Sequence, residues 1–273
     1  MNDETGRDAD QGPERPDPDP AATGPGAQPP PGPTGLLIID KRPGFTSMDV
    51  CAIVRGKLRR AGAPKSVKVG HGGTLDPMAT GVLVVLIGRA TRLCDVVMAG
   101  EKAYHATIDL AHTSTTDDAE GALTPVEPAR RPTLAECEAA STRFVGAIMQ
   151  RPPNFSALNI GGRRAYDIAR GGGVVDLPPR PVTVHTLTIT AYAWPTLSIT
   201  MTCGKGTYVR SLARDLGSAL GCGGMLTALR RTAVGRFPID AARTLDELPD
   251  PLTQAGLLPI PPEFAPPTPP DRP

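Results

Sequence analysis

Aromatic residues make up only 4% of this 273-residue chain: one Trp, four Tyr and five Phe. A core of any size must therefore rest on Ala, Val, Leu and Ile. Cys51, Cys94, Cys137, Cys203 and Cys222 are scattered, odd in number and never arranged as CxxC, which argues against a disulfide framework. The four histidines are nowhere near zinc-finger spacing, so no structural metal is expected. Cysteine usage of this kind predicts a reducing, cytoplasmic compartment. No apolar run reaches the length of a membrane span. Met1 is followed by acids rather than by a basic and apolar leader. No internal repeat is present.

What is abundant is unevenly placed. Residues 1–34 hold nine prolines, seven acids and two arginines; residues 246–273 hold ten prolines, five acids and one arginine. Neither segment offers enough apolar surface to offset the entropy of ordering, and both read as disordered tails. The whole chain has a formal charge of +1, but tails of −5 and −4 leave residues 35–245 at about +10. A basic body is the footprint of a polyanion partner, although charge alone fits a merely soluble basic domain equally well.

Within the body, residues 35–40 read as a short buried strand. Pro43-Gly44 turns the chain, and Ser47 is placed to cap a helix carrying Val50, Val54 and Leu58 on one face. Arg55, Lys57, Arg59, Arg60, Lys65 and Lys68 follow, as a solvated face or a phosphate-contacting one. Val82 to Ile87 is a buried strand, 90–98 a short helix and 102–111 a strand. Residues 112–132 are polar, carry an Asp-Asp-Ala-Glu-Gly turn and read as a loop. Thr133 with Glu136 forms a capping box opening a helix to about Val145. A short helix is expected over 163–170, then strands near 182–193 and 196–203, a helix over 207–220, and a last strand from Arg230 to near Phe237. The mixture lacks strict βαβ alternation, which predicts an α+β fold with a mixed, largely antiparallel sheet flanked by helices.

Chemistry concentrates at Gly70-His71-Gly72-Gly73-Thr74-Leu75-Asp76-Pro77-Met78-Ala79-Thr80-Gly81. One carboxylate sits here among glycines and a proline, next to a core strand. A carboxylate on so rigid a turn suits a nucleophile or general base, whereas an isolated turn aspartate more often caps its own backbone. Tyr104 lies early on a strand. Tyr208 and Arg210 open a helix after Lys205-Gly206-Thr207. Tyrosine offers a stacking face and a polar tip for an extruded base, and an arginine can keep a buried carboxylate ionised.

Taken together, these segments resemble the bacterial tRNA pseudouridine synthase B family over roughly residues 35–245. The resemblance rests on Leu37-Ile38-Ile39-Asp40-Lys41 with Thr46-Ser47, on Gly70-His71 through Asp76-Pro77 to Thr80-Gly81, and on Lys102 and Tyr104. It extends to Ser156-Ala157-Leu158 with Gly162-Arg163-Arg164-Ala165-Tyr166, and to Lys205-Gly206-Thr207-Tyr208-Val209-Arg210. It implies the pseudouridine-synthase fold and isomerisation of uridine 55 in the tRNA T loop, by a monomer, without cofactor or metal. It also implies Asp76 as nucleophile, by attack on the ribose or through a glycal. Tyr104 would stack on the flipped base, and Arg210 would pair with Asp76. His71 would fill the space the nucleotide leaves. Tyr208 and Leu229 would line the uracil pocket, and Lys41 would join the substrate-binding set.

Three features depart from the family pattern. Pro43 stands one place late in Lys41-Arg42-Pro43-Gly44. Asn159 stands where a lysine is common. Many members end in a small PUA-type RNA-binding domain, for which the Pro-rich stretch after about Leu248 is too short, so the basic body must supply most of the tRNA grip. Two other classes compete: a non-catalytic RNA-binding protein or tRNA folding chaperone on the same fold, and a nucleoside hydrolase using Asp76. A pure binder need not keep a nucleophile and its cation, and a nucleoside needs no long cationic surface.

Overall fold

The computed structural model describes residues 32–156, 159–160, 162–164, 168 and 177–264. The expected acidic tail lies almost wholly outside them. In chain order the elements are β1 (Gly35–Lys41), α1 (Ser47–Arg60), β2 (Val69–His71), β3 (Thr80–Ile87), α2 (Cys94–Ala99), β4 (Lys102–Asp109), β5 (His112–Ser114), β6 (Leu123–Pro125), α3 (Leu134–Ser141), β7 (Gly146–Gln150), β8 (Asn159–Ile160), β9 (Arg163–Arg164), β10 (Arg180–Ala193), β11 (Thr196–Cys203), α4 (Val209–Ala219), β12 (Met225–Val234) and β13 (Phe237–Pro238).

β1 and β3 are nearly all apolar because both their faces are covered. The two-residue period of a strand divides their side chains between two cores. Leu37, Ile39, Leu83 and Val85 join α1 and α4 on one side of the sheet, while Leu36, Ile38, Val82 and Val84 pack with Val97 and Phe237 on the other. β4 instead alternates, with Tyr104, Ala106 and Ile108 buried between exposed or half-buried neighbours. The strands run in the order β1-β3-β12-β4-β11-β10-β7, with β2 added to β3 and β13 to β12. Every pair is antiparallel except the short β12–β3 contact. The fold is thus α+β, as the sequence predicts.

β3 shares one edge between two partners. β2 pairs with Val85–Ile87, and β12 pairs with Thr80 and Gly81. The loop carrying Asp76 crosses the interval between them. Gly81 sits at φ 102°, and a Cβ there would lie 2.1 Å from the Arg231 carbonyl oxygen, so only glycine admits the β12 backbone this closely.

Several local expectations change. Thr46, not Ser47, caps α1, through a reciprocal box with Asp49. The Thr133–Glu136 box forms as expected, α3 ends at Ser141 and a 3-10 turn carries on to Phe144, close to the expected end; the chain then enters edge strand β7, which the sequence reading missed. Arg163 and Arg164 pair with Ile160 and Asn159 as strand, not as the start of a helix. The rest of that expected helix, and Ala157-Leu158 with Ala165-Tyr166, lie outside the described residues apart from Ile168. β12 begins five residues before Arg230, at Met225.

The largest change concerns the stretch after Leu245. Composition assigns it to a tail, yet Leu248, Leu252 and Leu257 are buried in the main core. Leu258 pairs its backbone with Leu36 in both directions at 2.9 Å, which covers the outer edge of β1. The Leu252 amide donates to the Lys57 carbonyl near the end of α1. Proline did not signal disorder here; leucines every four to five residues were the countervailing signal. Leu252→Ala should cost ~2–5 kcal/mol, the range for emptying a closed leucine site, measured by urea unfolding. A chain ending at Leu245 should lose its cooperative melt, and an unchanged melt would return the segment to the status of a tail.

Candidate functional site

Asp76 lies on the loop between β2 and β3, and its neighbours are pinned from three directions. From β12, Arg231 donates through Nη2 to the Gly73 carbonyl (3.2 Å), through Nη1 to that of Thr74 (3.0 Å) and through Nε to that of Val82 (2.7 Å). From α1, the Ser47 hydroxyl accepts from the Leu75 amide at 2.9 Å and donates to the Leu75 carbonyl at 3.1 Å. From β1, the Lys41 ammonium donates to the carbonyls of Arg42, Phe45 and Pro77 at 3.0, 2.8 and 3.2 Å. Main-chain groups at positions 73, 74, 75 and 77 are therefore each held by a buried side chain, which fixes the backbone on both sides of Asp76.

Lys41 needs correcting against expectation. It is only 1% exposed and its three donors meet carbonyls of its own site, so it supports the Asp76 loop and does not present itself to a substrate. Burial, partly opposed by Asp76 and reinforced by Arg231, lowers its pKa to about 8.

Arg210, in the first turn of α4, reaches the carboxylate. Its Nε lies 2.9 Å from Asp76 Oδ2, a close charge contact whose N–H does not align as a hydrogen bond. Nη1 donates to the Thr116 carbonyl and Nη2 to that of Phe155, both at 3.1 Å. Nη1 also lies 3.5 Å from Asp118 Oδ2. The Arg210 side chain is 6% exposed and that of Asp118 2%, while Asp76 keeps 30% of its side chain open. The guanidinium is thus buried between two carboxylates, one internal and one facing out.

The sequence reading missed Asp118. Residues 112–132 read as a loop with an Asp-Asp-Ala-Glu-Gly turn; residues 112–125 instead form the β5–β6 hairpin, with Asp117, Asp118 and Glu120 of that turn at its tip. Asp118 Oδ1 accepts from Thr116 Oγ1 and from the Glu120 amide. Asp117 occupies φ 61° and binds Arg214 Nη1 at 2.7 Å, and burial raises its pKa against the pull of Arg214. The available signal was the adjacent Asp117-Asp118 pair behind two threonines. Gln150 was missed too. This buried amide accepts from the Tyr208 amide at 2.8 Å and donates to the Tyr208 carbonyl at 3.1 Å, supporting the backbone at an α4 N-terminus that has no side-chain cap.

Tyr104 faces Arg231 across β4–β12, with Ala106 opposite Leu229. Strand alternation therefore puts Tyr104, Leu229 and Arg231 on one face. Burial raises the Tyr104 pKa, and the Arg231 charge opposes that shift, so the phenol stays protonated at neutral pH. Tyr208 is half-buried at the N-cap of α4, two residues before Arg210. His71 ends β2, half-buried, five residues before Asp76.

The six cations of α1 and its following loop divide. Arg60 binds Asp250 through two nitrogens at 2.6 and 2.7 Å, and Lys57 lies 3.6 Å from the same carboxylate. Arg55 and Arg59 donate to the carbonyls of Val69 and Lys65. Lys65 and Lys68 remain exposed.

Residues 59–209 match the TruB family pseudouridylate synthase N-terminal domain, and residues 210–256 match the tRNA pseudouridylate synthase B C-terminal domain. The chain belongs to the TruB family. Similar family members include tRNA pseudouridine synthase B of Thermobifida fusca, 50% identical over 222 residues that cover 78% of this chain and 74% of that one. The Streptomyces coelicolor protein of the same name is 48% identical over 230 residues, covering 81% and 74%. Among solved structures, a Cbf5-Nop10-Gar1 complex contains a chain with a TM-score of 0.60 and 28% identity, covering 78% of this chain and 53% of that one. The boundary between the two TruB domain matches falls between Val209 and Arg210, so the Asp76–Arg210 contact joins the two matched segments.

The pH dependence of stability follows from Lys41. Its pKa is lower folded than unfolded, so between pH 8 and about 10.5 the unfolded chain binds more protons there. That group therefore makes stability rise with pH across this window. Lys41→Met should remove that rise, and the gap between wild-type and variant urea midpoints should change between pH 7.5 and 10. A constant gap would show that Lys41 does not titrate as its burial dictates.

Proposed function

We propose that this protein isomerises uridine 55 in the T loop of tRNA to pseudouridine, with Asp76 as the nucleophile. The observation that carries this reading is the Asp76–Arg210 contact at 2.9 Å, in a chain of the TruB family. In the net reaction the bond from ribose C1′ to uracil N1 breaks and one from C1′ to C5 forms. C5 loses a proton and N1 gains one, so no cofactor enters the balance. Direct attack on C1′ and the glycal route both require an ionised carboxylate with one oxygen free. Arg210 holds Oδ2, and among the described residues nothing bonds Oδ1. The position of the buried cation fixes which oxygen faces outward.

The target base lies in a stacked loop and must be extruded first. The half-buried Tyr208 and the apolar Leu229 suit the walls of a uracil pocket. Protonated Tyr104 suits stacking and donation more than proton removal. His71, at the entrance to the Asp76 loop, suits the gap left by the flipped nucleotide. The T arm would be held largely by the basic body, acting as a monomer in the cytoplasm. Among the described residues, no helix is long and apolar enough to cross a membrane. A pure RNA binder or folding chaperone would not need the buried Asp76–Arg210–Asp118 arrangement.

Asp76→Asn should abolish pseudouridine formation in unmodified tRNA, read by mapping the modified base. Binding should stay within a few-fold, because the phosphate contacts are untouched. Turnover near the wild-type rate in that variant would end the nucleophile assignment.

The phosphate grip is tested best at Lys65 and Lys68, the exposed cations of this stretch that no carboxylate or carbonyl among the described residues engages. Neutralising Lys65 and Lys68 together should flatten the slope of log affinity against log salt by roughly one to two units. Single-turnover rates at saturating tRNA should stay close to wild type. An unchanged slope would make this a solvated face.

A further inference from the structure

The arginines around the first turns of α4 and on β12 are nearly all committed. Arg210 meets Asp76 and Asp118, and Arg214 meets Asp117 and Asp215. Arg230 meets Asp40, and Arg231 meets three carbonyls. Arg180 differs. It opens β10 opposite Gln150, the residue whose amide clamps the Tyr208 backbone. Its guanidinium carbon lies 5.5 Å from the centroid of the Tyr208 ring. Its Nε is shielded from solvent, and no acceptor among the described residues meets it. Among the described residues, no carboxylate forms an ion pair with it.

From this we infer that Arg180 is a substrate-contacting residue, which receives a phosphodiester of the RNA strand beside the nucleotide held at Tyr208. The inference rests on the RNA-modifying reading above and deepens it. Three physical points lead to it. A partly buried cation without a counter-charge is costly, and fixed carboxylates or carbonyls relieve that cost for its neighbours. Contact with an aromatic face fixes the guanidinium plane, while the in-plane N–H groups remain the ones that grip phosphate oxygens. The place is set by chain connectivity: Tyr208 is two residues from Arg210, which touches Asp76. A phosphate here would lie next to the nucleotide undergoing reaction, not on a remote face.

The test is a charge-neutral backbone scan. T-arm RNAs are made with a single methylphosphonate at each linkage around the target uridine, and their binding to wild type and to Arg180→Gln is compared. In wild type one linkage should cost about fivefold in affinity, the scale of one lost phosphate contact. In Arg180→Gln the same linkage should cost less than about twofold, because the two changes remove one interaction. Arg180→Lys, which keeps the charge, should restore sensitivity at that linkage even if the Gln variant folds poorly. The inference is overturned if every linkage costs the same in wild type and Arg180→Gln, or if Arg180→Lys shows no sensitive linkage. Pseudouridine formation by wild type on the unmodified RNA is measured alongside. Turnover without a linkage-specific effect rejects only the Arg180 contact, whereas absence of turnover rejects the enzymatic reading itself.

Discussion

The strand ladder along β3 is interrupted near Val82, and a buried guanidinium fills the interruption. β2 pairs with the far end of this edge and β12 with the near end. Arg231 reaches from β12 to the Val82 carbonyl on one side and to those of Gly73 and Thr74 on the other. It takes over the donor role that a neighbouring strand would otherwise fill. The Asp76 loop can therefore leave the sheet and return without stranding its carbonyls in the core. Replacing this side chain with an apolar one of similar length would leave the buried carbonyls of Val82 and Gly73 unpaired, each at a cost of ~1–3 kcal/mol, and would free the half-buried one of Thr74.

Lys41 and Ser47 extend the same device. Charged or polar groups buried deep in a small protein are costly, and paired ones seldom add net stability. What they provide here is geometry. The loop is held through its main chain, so the side chain of Asp76 is not consumed in holding it. That leaves the carboxylate to Arg210 on one oxygen and to solvent on the other. Asp118 completes the balance, since it gives the buried guanidinium a second, internal counter-charge. Arg210 is thus positioned whether or not Asp76 leans toward it.

Legibility from sequence follows the range of the forces involved. The buried strands read at 35–40 and 82–87, the α1 apolar face and the Thr133 box were readable because each is a local pattern. The Asp76 and Arg210 segments were readable as chemistry because glycines and a proline flank the one and a tyrosine the other. Their mutual contact was implied only by family resemblance. Lys41 was misread because a cation beside a functional loop looks the same in sequence whether it faces a phosphate or a carbonyl. The Asp117-Asp118 pair marked a polar turn but not its role, and Gln150 carried no local signal, because each acts across tertiary contacts, Gln150 at a separation of 58 residues. The leucines after 245 were outvoted by proline count, although proline limits backbone shape without preventing side-chain burial.

The C-terminal segment changes how the basic body must be understood. Counting residues gives a strongly positive domain, and the acids beyond Leu245 were set aside as part of a separate tail. In the fold, Asp246 pairs with Arg42 and Asp250 with Arg60 and Lys57. These acids return to the same surface from which composition had subtracted them. Such exposed pairs contribute little to stability, since water and salt screen them. Their effect is on the field: they cancel the middle of the cationic stretch and leave its far end, at Lys65 and Lys68, uncovered. Net charge by segment thus carried no information on where on the surface a polyanion would be met. A polyanion approaching this protein would be drawn to the end of the stretch that leads toward β2 and the Asp76 loop, because the charge nearer the C-terminal segment is already answered from within.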